Sequence, residues 1–438
     1  MNRAVAGAGA ETVRAPARIA SDVAVPGDKS ITHRALLLSA LAHGRARITG
    51  AGMGEDCAGT LRCLRALGVE VEEVSASELV VHGIGDGALG EPGDILDCGN
   101  SGTTMRLMLG ALAGRDLFAV LTGDASLRGR PMGRVTQPLR AMGAMVWGRR
   151  GGSLPPIAVR GARLAGIGHE LGVASAQVKS ALLLAGLTAD GVTRIRQPAR
   201  SRDHTEIMLR AQGLELVEQG LEISIRGGQR ARAVDVEVPG DFSAAAFWIV
   251  AACVHPDAEI AIKNVGVNPT RATALEVLRR MGAEIEVRPR DASAEPSADI
   301  VARSSRLRGT TIAGAEVPLV QDEIPVLAVA AALAEGKTEI RDAAELRVKE
   351  SDRISATCRE LTRLGAKLEE RPDGMIVHGG VGFKGAEVDS HGDHRLAMSL
   401  AVAGLVAKGE TRIQGAGAAA VSDPGFWSQL RALAGDGA

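Results

Sequence analysis

The chain has 438 residues, and its 51 Lys and Arg nearly balance its 52 Asp and Glu, giving a formal net charge of −1. This length favours two domains, because a single hydrophobic core rarely grows beyond about 300 residues. The balanced charge argues against bulk binding to nucleic acid or to an anionic membrane, and the absence of Tyr beside only 3 Trp and 5 Phe argues against base-stacking platforms.

The opening segment, MNRAVAGAGAETVRA, lacks the apolar run of a signal peptide and is predicted to be a short disordered tail. No stretch of the sequence approaches the roughly 20 apolar residues of a membrane span. The 5 cysteines are odd in number and form no C-x-x-C pair, which argues against zinc and redox chemistry. They are interpreted as reduced thiols, and the sequence predicts a cytoplasmic protein.

A duplicated turn divides the sequence, because VPGDKS at Val25–Ser30 reappears as VPGDFS at Val238–Ser243. Each copy precedes an apolar, helix-length segment and then a β-like segment. The same order of turn, apolar helix and strand recurs after Cys98, Ser175, Gln321 and His391. Between these segments, amphipathic helices are predicted to end at glycines that adopt a left-handed conformation, namely Gly68, Gly143, Gly213, Gly282 and Gly365.

The chain therefore reads as about six copies of one mixed α/β unit, three in each half. If the chain crosses between domains at the two VPGD turns, residues 1–26 and 240–438 form one lobe and residues 27–239 form the other. Pro and Gly in these turns also suit a hinge for lobe closure. The alternative is that both are ordinary tight turns.

Lys29, Ser30 and Arg34 lie within about one helical turn of the first predicted helix N-terminus. Backbone N–H groups, the helix dipole and two cations favour a bound anion there. The alternative is that Ser30 is only a helix cap and Arg34 lies on a solvated face. A nucleotide-binding P-loop is not supported, because Asp28 separates Gly27 from Lys29.

Further polar motifs open the other apolar helices of the first half. Gly102, in Asn100–Arg106, permits close approach of a ligand to the backbone. Arg130 stands before a proline that is predicted to begin another helix. Ser175–Ser180 supplies hydroxyl and amide groups that suit a polyhydroxylated ligand.

In the second half, Lys349 and Arg353 are four residues apart and are predicted to share a helical face, with Glu350 three residues before Arg353. From this stretch alone, a solvated helix is the better interpretation. Asp322 and Glu323 stand beside an apolar helix, where burial would favour the protonated form of a carboxyl group and suit acid/base chemistry. The HGDHR segment that ends at Arg395 is a poor metal cage, since Arg follows its histidines directly.

The motif cations are concentrated on a chain of nearly zero net charge. They are Lys29, Arg34, Arg106, Arg130, Arg202, Lys349, Arg353 and Arg395. Such a concentration indicates substrates with several negative charges, such as a phosphate together with a carboxylate.

Nine motifs, in this order, resemble the 5-enolpyruvylshikimate-3-phosphate (EPSP) synthase family along nearly the whole chain. They are PGDKSITHRALLL, GNSGTTMR, GDASLRGRPM, SAQVKSALLLAGL, SRDHTE, NPTR, QDEIPVLAVAAA, LRVKESDR and GDHRLAMS. The resemblance implies an inside-out α/β barrel in two lobes of three units each. It also implies transfer of the enolpyruvyl group of phosphoenolpyruvate to the 5-hydroxyl of shikimate 3-phosphate, without a metal or organic cofactor, and a monomer is expected.

The resemblance also implies roles for individual residues. As catalytic groups it gives Asp322 as the base, Glu350 as the acid and Lys29 as an assisting group. For shikimate 3-phosphate it gives Lys29, Ser30, Arg34, Ser175, Ala176, Gln177, Arg202, Asp322 and Lys349. For phosphoenolpyruvate it gives Lys29, Gly102, Arg130, Gln177, Arg353 and Arg395.

One departure from the family pattern is the absence of a lysine before the last helix, where Val421 stands, so the phosphoenolpyruvate site is expected to have one cation fewer. Gly102 leaves room for glyphosate, so inhibition is expected, although SAQVKSA, NPTR and the QDE motif resemble a subgroup that includes tolerant enzymes. A sister transferase acting on UDP-N-acetylglucosamine would carry K-N-A and a loop cysteine, whereas this chain has Lys29–Ser30 and no cysteine from Asp124 to Pro131. A non-catalytic anion-binding protein on the same scaffold is another alternative. Such a protein would have lost its acids, whereas Asp322 and Glu350 are both present here.

Overall fold

The computed structural model describes residues 9–290 and 294–434, and the chain divides into two compact units. Unit 1 comprises Met1–Pro26, Pro239–Ala292 and Pro296–Ala438, and unit 2 comprises Gly27–Val238 and Ser293–Glu295. Within residues 9–290 and 294–434, every helix is too short or too polar to cross a bilayer.

The described part of unit 2 contains the first seven helices in chain order, and unit 1 contains the next seven. Those of unit 2 are α1 (Lys29–Leu41), α2 (Glu55–Ala66), α3 (Gly102–Leu112), α4 (Gly133–Ala141), α5 (Arg149–Gly152), α6 (Ala176–Gly186) and α7 (His204–Ala211). Those of unit 1 are α8 (Phe242–Val254), α9 (Thr273–Arg280), α10 (Val317–Val320), α11 (Ile324–Leu333), α12 (Arg353–Arg363), α13 (His394–Gly404) and α14 (Phe426–Ala434). Short 3₁₀ turns lie at Leu127–Gly129, Gly314–Glu316, Ala344–Val348 and Ala416–Val421.

The strands in the described part of the chain form six sheets, three in each unit. In chain order the strands are β1 (Glu11–Arg14), β2 (Ile19–Val23), β3 (His43–Thr49), β4 (Val71–Ser75), β5 (Glu78–Ile84), β6 (Leu96–Asp97), β7 (Phe118–Thr122), β8 (Met145–Gly148), β9 (Leu154–Arg160), β10 (Ala165–Glu170), β11 (Asp190–Arg196), β12 (Leu216–Gln219), β13 (Glu222–Arg226), β14 (Val236–Glu237), β15 (Ala258–Gly266), β16 (Glu284–Pro289), β17 (Ser297–Arg303), β18 (Thr311–Ile312), β19 (Lys337–Ile340), β20 (Lys367–Arg371), β21 (Gly374–His378), β22 (Glu387–Asp389) and β23 (Glu410–Gln414). The sheet orders are β14-β3-β5-β4, β6-β7-β9-β8 and β10-β11-β13-β12 in unit 2, and β2-β15-β17-β16, β18-β19-β21-β20 and β22-β23-β1 in unit 1.

One pairing pattern recurs in these sheets. In each four-stranded sheet the first two strands of the order given are parallel and the other two pairs are antiparallel, as in β6-β7-β9-β8. In the three-stranded sheet, β22 and β23 are parallel and β1 pairs with β23 in the antiparallel sense. The sheets and helices together confirm a mixed α/β fold.

Part of the predicted disordered tail is in fact the edge strand β1. The residues of β1 pair from Glu11 opposite Ile413 to Arg14 opposite Glu410. Val13 is 2% exposed and belongs to the core of unit 1, so burial of a β-branched side chain stabilises this strand. The tail prediction is therefore wrong for these residues, while residues 1–8 lie outside the described part of the chain.

The predicted helix ends are confirmed at the glycines. Positive φ angles of 85°, 109°, 85°, 95° and 94° occur at Gly68, Gly143, Gly213, Gly282 and Gly365. A left-handed residue closes each amphipathic helix, because only glycine adopts this φ without a steric penalty. The apolar helices form the core: in α8 every residue from Phe242 to Cys253 is buried. Polar side chains at the ends of these helices are thereby fixed on a rigid support.

Candidate functional site

The N-terminus of α1 carries the first group of predicted site residues. Asp28, rather than Ser30, is the helix cap, because its Oδ1 accepts the Ile31 N–H at 2.9 Å. Lys29 Nζ lies 2.9 Å from Asp56 Oδ2, and its side chain is 20% exposed. Lys29 therefore has a paired ammonium group that solvent still reaches.

Arg34 is buried inside unit 2 rather than on a solvated face, so that alternative is wrong. Its Nε donates to Thr205 Oγ1 at 2.7 Å, its Nη2 to Ser180 Oγ at 2.9 Å and its Nη1 to the Ser30 carbonyl at 2.9 Å. Burial lowers the pKa of Arg34 to about 10, and the positive charge of Arg202 acts in the same direction. The guanidinium still stays charged at neutral pH and places a cation beside Ser30.

His33, between these two residues, is neutral. Its Nδ1 lies 2.7 Å from Thr60 Oγ1, which in turn lies 2.7 Å from Thr104 Oγ1. Burial lowers the pKa of His33 to about 3, and the charges of Lys29 and Arg34 lower it further. Of Lys29, His33 and Arg34, only the lysine and the arginine therefore carry positive charge at this end of α1.

Helices α3 and α6 bring Gly102 and Gln177 to a shared arginine. Arg106 Nη1 donates to Gln177 Oε1, and Gln177 Nε2 donates to Thr103 Oγ1 at 2.9 Å. A Cβ atom added at Gly102 would lie 2.9 Å from Arg106 Nη1 and 3.6 Å from Arg130 Nη1. The absence of a side chain at Gly102 therefore lets the Arg106 guanidinium lie directly against the backbone.

Arg130 is held by an amide and a hydroxyl. Its Nη2 donates to Asn100 Oδ1 at 2.6 Å and to Ser126 Oγ at 3.2 Å, and Asn100 Nδ2 donates to Asp124 Oδ2 at 2.6 Å. The predicted helix at Arg130 begins later, at Gly133, because a 3₁₀ turn ends immediately before Arg130. The arginine is thus presented by a loop.

The remaining predicted residues of unit 2 lie at two other helix entries. Ser175 caps α6 by accepting the Val178 N–H at 3.4 Å, and Ala176 is the first residue of that helix. Arg202 lies in the segment before α7, near enough to Arg34 for the two charges to interact. Hydroxyl, backbone N–H and guanidinium groups are therefore available at these entries.

In unit 1, the guanidinium of Arg353 gathers three carboxylates. Its Nη1 lies 3.1 Å from Asp322 Oδ1, its Nη2 2.7 Å from Glu350 Oε2 and its Nε 2.8 Å from Asp393 Oδ2. The Arg353 side chain is 2% exposed. Burial alone would lower the pKa of Arg353, but the three acids outweigh it and raise this pKa above its ordinary value. The two predicted acid/base residues are thus brought together on one cation.

Asp393 is the acid that anchors this group. It is fully buried, and its Oδ1 accepts the backbone N–H of Arg395 at 2.9 Å, so it caps α13. Burial alone would raise the pKa of Asp393, but the positive charge of Arg353 outweighs it and the pKa is lowered. One carboxylate therefore contacts two of the three arginines that were predicted to hold phosphoenolpyruvate, the side chain of Arg353 and the backbone of Arg395.

Arg395 faces the acids of the Asp322–Glu323 pair. Its Nε lies 3.7 Å from Asp322 Oδ1 and its Nη1 3.9 Å from Glu323 Oε1. Glu323 is buried and also accepts from Arg271 Nη1 at 2.8 Å. Arg271 in turn donates to Asp241 Oδ1 at 2.8 Å. A buried chain of alternating charges thus supports the residue next to Asp322.

The predicted helical face shared by Lys349 and Arg353 is wrong. Helix α12 begins at Arg353, because Asp352 accepts the Ser355 N–H at 3.1 Å and caps the helix there. Lys349 follows the Ala344–Val348 turn and has an extended backbone. Glu350 still meets Arg353, but from the loop before the helix.

Sequence reasoning missed Asp393 and Arg271 as parts of this site, and it gave Glu323 only as an acid beside an apolar helix. The sequence did offer a signal for Asp393 as a helix cap, since Asp is a preferred residue directly before the first residue of a helix. Arg271 ends the NPTR motif, whose role the sequence alone does not reveal. Their partners lie 40 or more residues away in sequence, at Arg353 for Asp393 and at Glu323 for Arg271.

The segment that lacks the expected lysine is a 3₁₀ turn that ends at Val421, and Asp423 follows it. Asp423 is 2% exposed, and its Oδ1 accepts the Gly425 N–H at 3.1 Å. Burial raises the pKa of Asp423 to about 6, and the charge of Asp241 adds to this effect. The segment thus contributes a buried acid.

Known proteins resemble this chain over nearly its whole length. The family model for EPSP synthase (3-phosphoshikimate 1-carboxyvinyltransferase) matches residues 13–430. A 3-phosphoshikimate 1-carboxyvinyltransferase of Synechococcus sp. (strain JA-3-3Ab) is 54% identical over 423 residues, covering 95% of each chain, and one of Gloeobacter violaceus is 55% identical over 415 residues, covering 94% of this chain and 96% of that protein. The solved EPSP synthase of Acinetobacter baumannii superposes with a TM-score of 0.86 at 42% identity, covering 97% of this chain and 98% of that one. The chain therefore belongs to the EPSP synthase family, the 3-phosphoshikimate 1-carboxyvinyltransferases.

Proposed function

We propose that the chain transfers the enolpyruvyl group of phosphoenolpyruvate to the 5-hydroxyl of shikimate 3-phosphate and releases phosphate. The groups that it uses are those described above at the helix entries of unit 2 and around Arg353 in unit 1. The observation that carries this proposal is the gathering of Asp322 and Glu350 on the Arg353 guanidinium, in a chain that matches the family model over residues 13–430. The product belongs to chorismate and aromatic amino acid biosynthesis.

The residues at the helix entries of unit 2 supply groups that suit a phosphorylated, hydroxylated ring. Lys29, Ser30, Arg34 and Arg202 offer positive charge and a hydroxyl near the start of α1, and charge-assisted hydrogen bonds of this kind suit a phosphate. Ser175, Ala176 and Gln177 offer polar groups at the entry of α6 for the ring hydroxyls. In unit 1, Asp322 and Lys349 are assigned to the same substrate.

Phosphoenolpyruvate is assigned to Lys29, Gly102, Arg130, Gln177, Arg353 and Arg395. Gly102 and the guanidinium of Arg130 suit an anion, since a glycine lets a ligand approach the backbone and an arginine binds planar anions through two parallel hydrogen bonds. Cations that are already fixed stabilise charge that develops during reaction, and each such group is worth about 3 kcal/mol in other enzymes.

The chemistry is an addition followed by an elimination. Asp322 accepts the proton of the 5-hydroxyl, while Glu350 donates a proton to the methylene carbon, and the oxygen attacks the adjacent carbon to give a tetrahedral intermediate. Glu350 then removes a proton from the new methyl group as phosphate leaves. Lys29 assists by neutralising negative charge on the hydroxyl oxygen and the leaving phosphate.

The proposal extends to the architecture and the setting of the enzyme. Six sheets with one recurring pairing pattern support an inside-out α/β barrel of six units in two lobes. The 5 cysteines are free and buried, which suits a reducing compartment, and we propose a cytoplasmic monomer.

Phosphate release from phosphoenolpyruvate tests the function directly. With shikimate 3-phosphate as the acceptor, release is expected, and Glu350→Gln should lower turnover at least about 100-fold while binding persists. Release with UDP-N-acetylglucosamine instead would assign the chain to the sister transferase. Binding of both substrates without release would assign it to a non-catalytic role.

A further inference from the structure

Two charged side chains are buried together inside unit 2, one on α6 and one on α7. Lys179 and Glu206 are 2% and 3% exposed, and Lys179 Nζ lies 2.5 Å from Glu206 Oε1. A charge is costly to bury, and a buried ion pair is often no more stabilising than apolar side chains of similar volume. Stability alone therefore gives little reason for this pair.

The Lys179 ammonium group also holds the backbone of the segment between β11 and α7. Its Nζ donates to the Ser201 carbonyl at 3.3 Å. Ser201 is 6% exposed, and its Oγ donates to Gln197 Oε1 in the same segment. Ser201 is thus fixed through its carbonyl and through its side chain.

A fixed carbonyl at Ser201 bears directly on Arg202. The Ser201 carbonyl and the Arg202 N–H belong to one planar peptide unit, so a donor that fixes the first also fixes the direction in which the chain enters Arg202. Arg202 lies near Arg34, because its positive charge lowers the pKa of Arg34. Like charges repel, and a fixed backbone therefore helps to keep the two cations close together.

The same two helices also hold Arg34. Ser180 follows Lys179 on α6 and accepts from Arg34 Nη2, and Thr205 precedes Glu206 on α7 and accepts from Arg34 Nε. The negative charge of Glu206 raises the pKa of Arg34, in the opposite direction to its burial. Neighbouring residues on α6 and α7 therefore fix one cation through hydroxyl groups and the segment before α7 through an ion pair.

On the basis of the proposed function, we propose that Lys179 is a positioning residue for the phosphate of shikimate 3-phosphate. Its ammonium group holds the Ser201 carbonyl, and this carbonyl directs Arg202 so that its guanidinium and that of Arg34 bind one phosphate. Glu206 compensates the charge of Lys179 inside unit 2. Both act without touching the substrate, because their side chains are buried.

The test compares the binding of shikimate 3-phosphate with that of shikimate, which lacks the phosphate. Lys179→Met/Glu206→Leu removes both charges together, so that no uncompensated charge stays buried. Titration calorimetry on the full-length protein should show the affinity for shikimate 3-phosphate lowered at least about 10-fold, since a hydrogen bond to a charged group is weakened. The affinity for shikimate should stay close to the wild-type value.

A second measurement checks that Lys179 acts through Arg202. In an Arg202→Gln background, the same pair of substitutions should cause little further loss of affinity for shikimate 3-phosphate, because the positioned group is already gone. A further loss as large as that seen with Arg202 present would overturn the proposal. Equal losses for the two ligands, or no loss for either, would overturn it as well.

Arg210→Gln/Glu218→Gln is the matched control, because it removes another ion pair of α7, one whose side chains are 43% and 47% exposed. This control should leave both affinities unchanged. Lys179→Gln/Glu206→Gln is a second test variant, to be used if circular dichroism shows that the first does not fold. The side chain of glutamine is one bond shorter than that of lysine, so its hold on the Ser201 carbonyl is weaker and the same selective loss is expected.

Measurements on wild type separate the two levels of argument. If wild type binds shikimate 3-phosphate no better than shikimate and releases no phosphate from phosphoenolpyruvate, the proposed function fails and the positioning role fails with it. If wild type releases phosphate and the charge-free variants bind shikimate 3-phosphate as tightly as wild type, only the positioning role is disproved.

Discussion

At the scale of single residues, the site depends on charges that are buried with their partners. Arg353 and Asp393 illustrate this, because each would be costly to bury alone and together they hold Asp322 and Glu350. Arg34 shows the same principle in unit 2 with neutral partners, the hydroxyls of Ser180 and Thr205. Such groups keep their positions without a ligand, which is what preorganised catalysis requires.

Asp423 is expected to weaken the fold at neutral pH. Its pKa is raised to about 6 by burial, above the ordinary value of 3.8, so the folded state favours the neutral acid. The stability that this neutral form contributes is present below the unfolded value and is lost as pH rises through about 6. Asp423→Asn should therefore raise the free energy of unfolding by about 2 kcal/mol at about pH 8, with a smaller gain at about pH 4.

Urea unfolding at the two pH values measures this effect. Asp116→Asn is a suitable control, because Asp116 is exposed and its neutralisation should change stability little at either pH. A gain for Asp423→Asn that is equal at both pH values would contradict the role given to the charge.

Gly102 is expected to control the response to glyphosate. Replacement by alanine would place a Cβ 2.9 Å from Arg106 Nη1, so this guanidinium must shift, and 3.6 Å from Arg130 Nη1, which is an ordinary contact. We expect inhibition of wild type at low glyphosate concentration. Gly102→Ala should raise the inhibition constant for glyphosate at least about 10-fold and should also raise the KM for phosphoenolpyruvate. Crowding of this kind costs roughly 1 kcal/mol or more of free energy.

Steady-state inhibition with phosphoenolpyruvate near its KM measures both constants. Gly93→Ala is the control, because a Cβ at Gly93 meets no atom within 4 Å. Inhibition of wild type only at millimolar glyphosate would contradict the expected sensitivity.

At the scale of elements, polar side chains cap the helices that carry the site. Asp28 caps α1, Ser175 caps α6, Asp352 caps α12 and Asp393 caps α13. Each cap satisfies an N–H group that the helix cannot. The first turn of each helix is thereby fixed, and with it the direction of Lys29, Gln177, Arg353 and Arg395.

Asp393 serves both as a cap and as a counterion, and two variants separate these roles. Asp393→Asn keeps an acceptor for the Arg395 N–H but removes the charge that faces Arg353, and Asp393→Ala removes both. We expect the Asn variant to lose about 3 kcal/mol of stability, because a buried ion pair is broken on one side. The Ala variant should lose about 1 kcal/mol more for the cap.

Urea unfolding over a range of pH measures both losses. The pKa of Asp393 is lowered in the folded protein, so its stabilising charge is present above the unfolded value and lost in acid. The gap between wild type and Asp393→Asn should therefore narrow as pH falls. An Asn variant as stable as wild type at neutral pH would show that the charge has no structural role.

The elements were largely predictable because their signals are local. Gly68 and its counterparts mark helix ends through a backbone angle that other residues avoid, and the apolar helices are recognised by composition. The wrong prediction that Lys349 and Arg353 share a helical face has a local cause as well. It rested on the spacing of the charges, whereas the cap at Asp352 makes α12 begin only at Arg353. Asp393 could be recognised as a helix cap, but its role as a counterion and that of Arg271 could not be assigned, because a buried counterion is defined by a partner distant in sequence.

At the scale of the whole molecule, unit 1 is assembled from both ends of the chain. Strand β1 completes the sheet of β22 and β23, and Glu11 pairs with Arg431 at 2.9 Å. Strand β2 lies parallel to β15. The N-terminal segment is therefore a structural part of a unit whose other strands follow Pro239.

Removal of β1 is expected to destabilise unit 1. Deletion of residues 1–15 exposes the edge of β23 and the core around Val13, at a cost of about 3 kcal/mol, which lowers the melting temperature by several degrees. Gly9→Ala is the control, because a Cβ at Gly9 meets no atom within 4 Å, and it should leave melting almost unchanged. Calorimetry of the truncated protein and of this control measures the difference, and equal melting would disprove a structural role for the strand.

The position of β1 also has a consequence for synthesis on the ribosome. All strands of unit 2 lie between Gly27 and Val238, so its sheets can form while the rest of the chain is still being translated. Unit 1 must hold β1 and β2 unpaired until β15 and then β23 emerge. The first strands to be made are thus among the last to be paired, and nascent chains that stall between these points present an open sheet edge to chaperones.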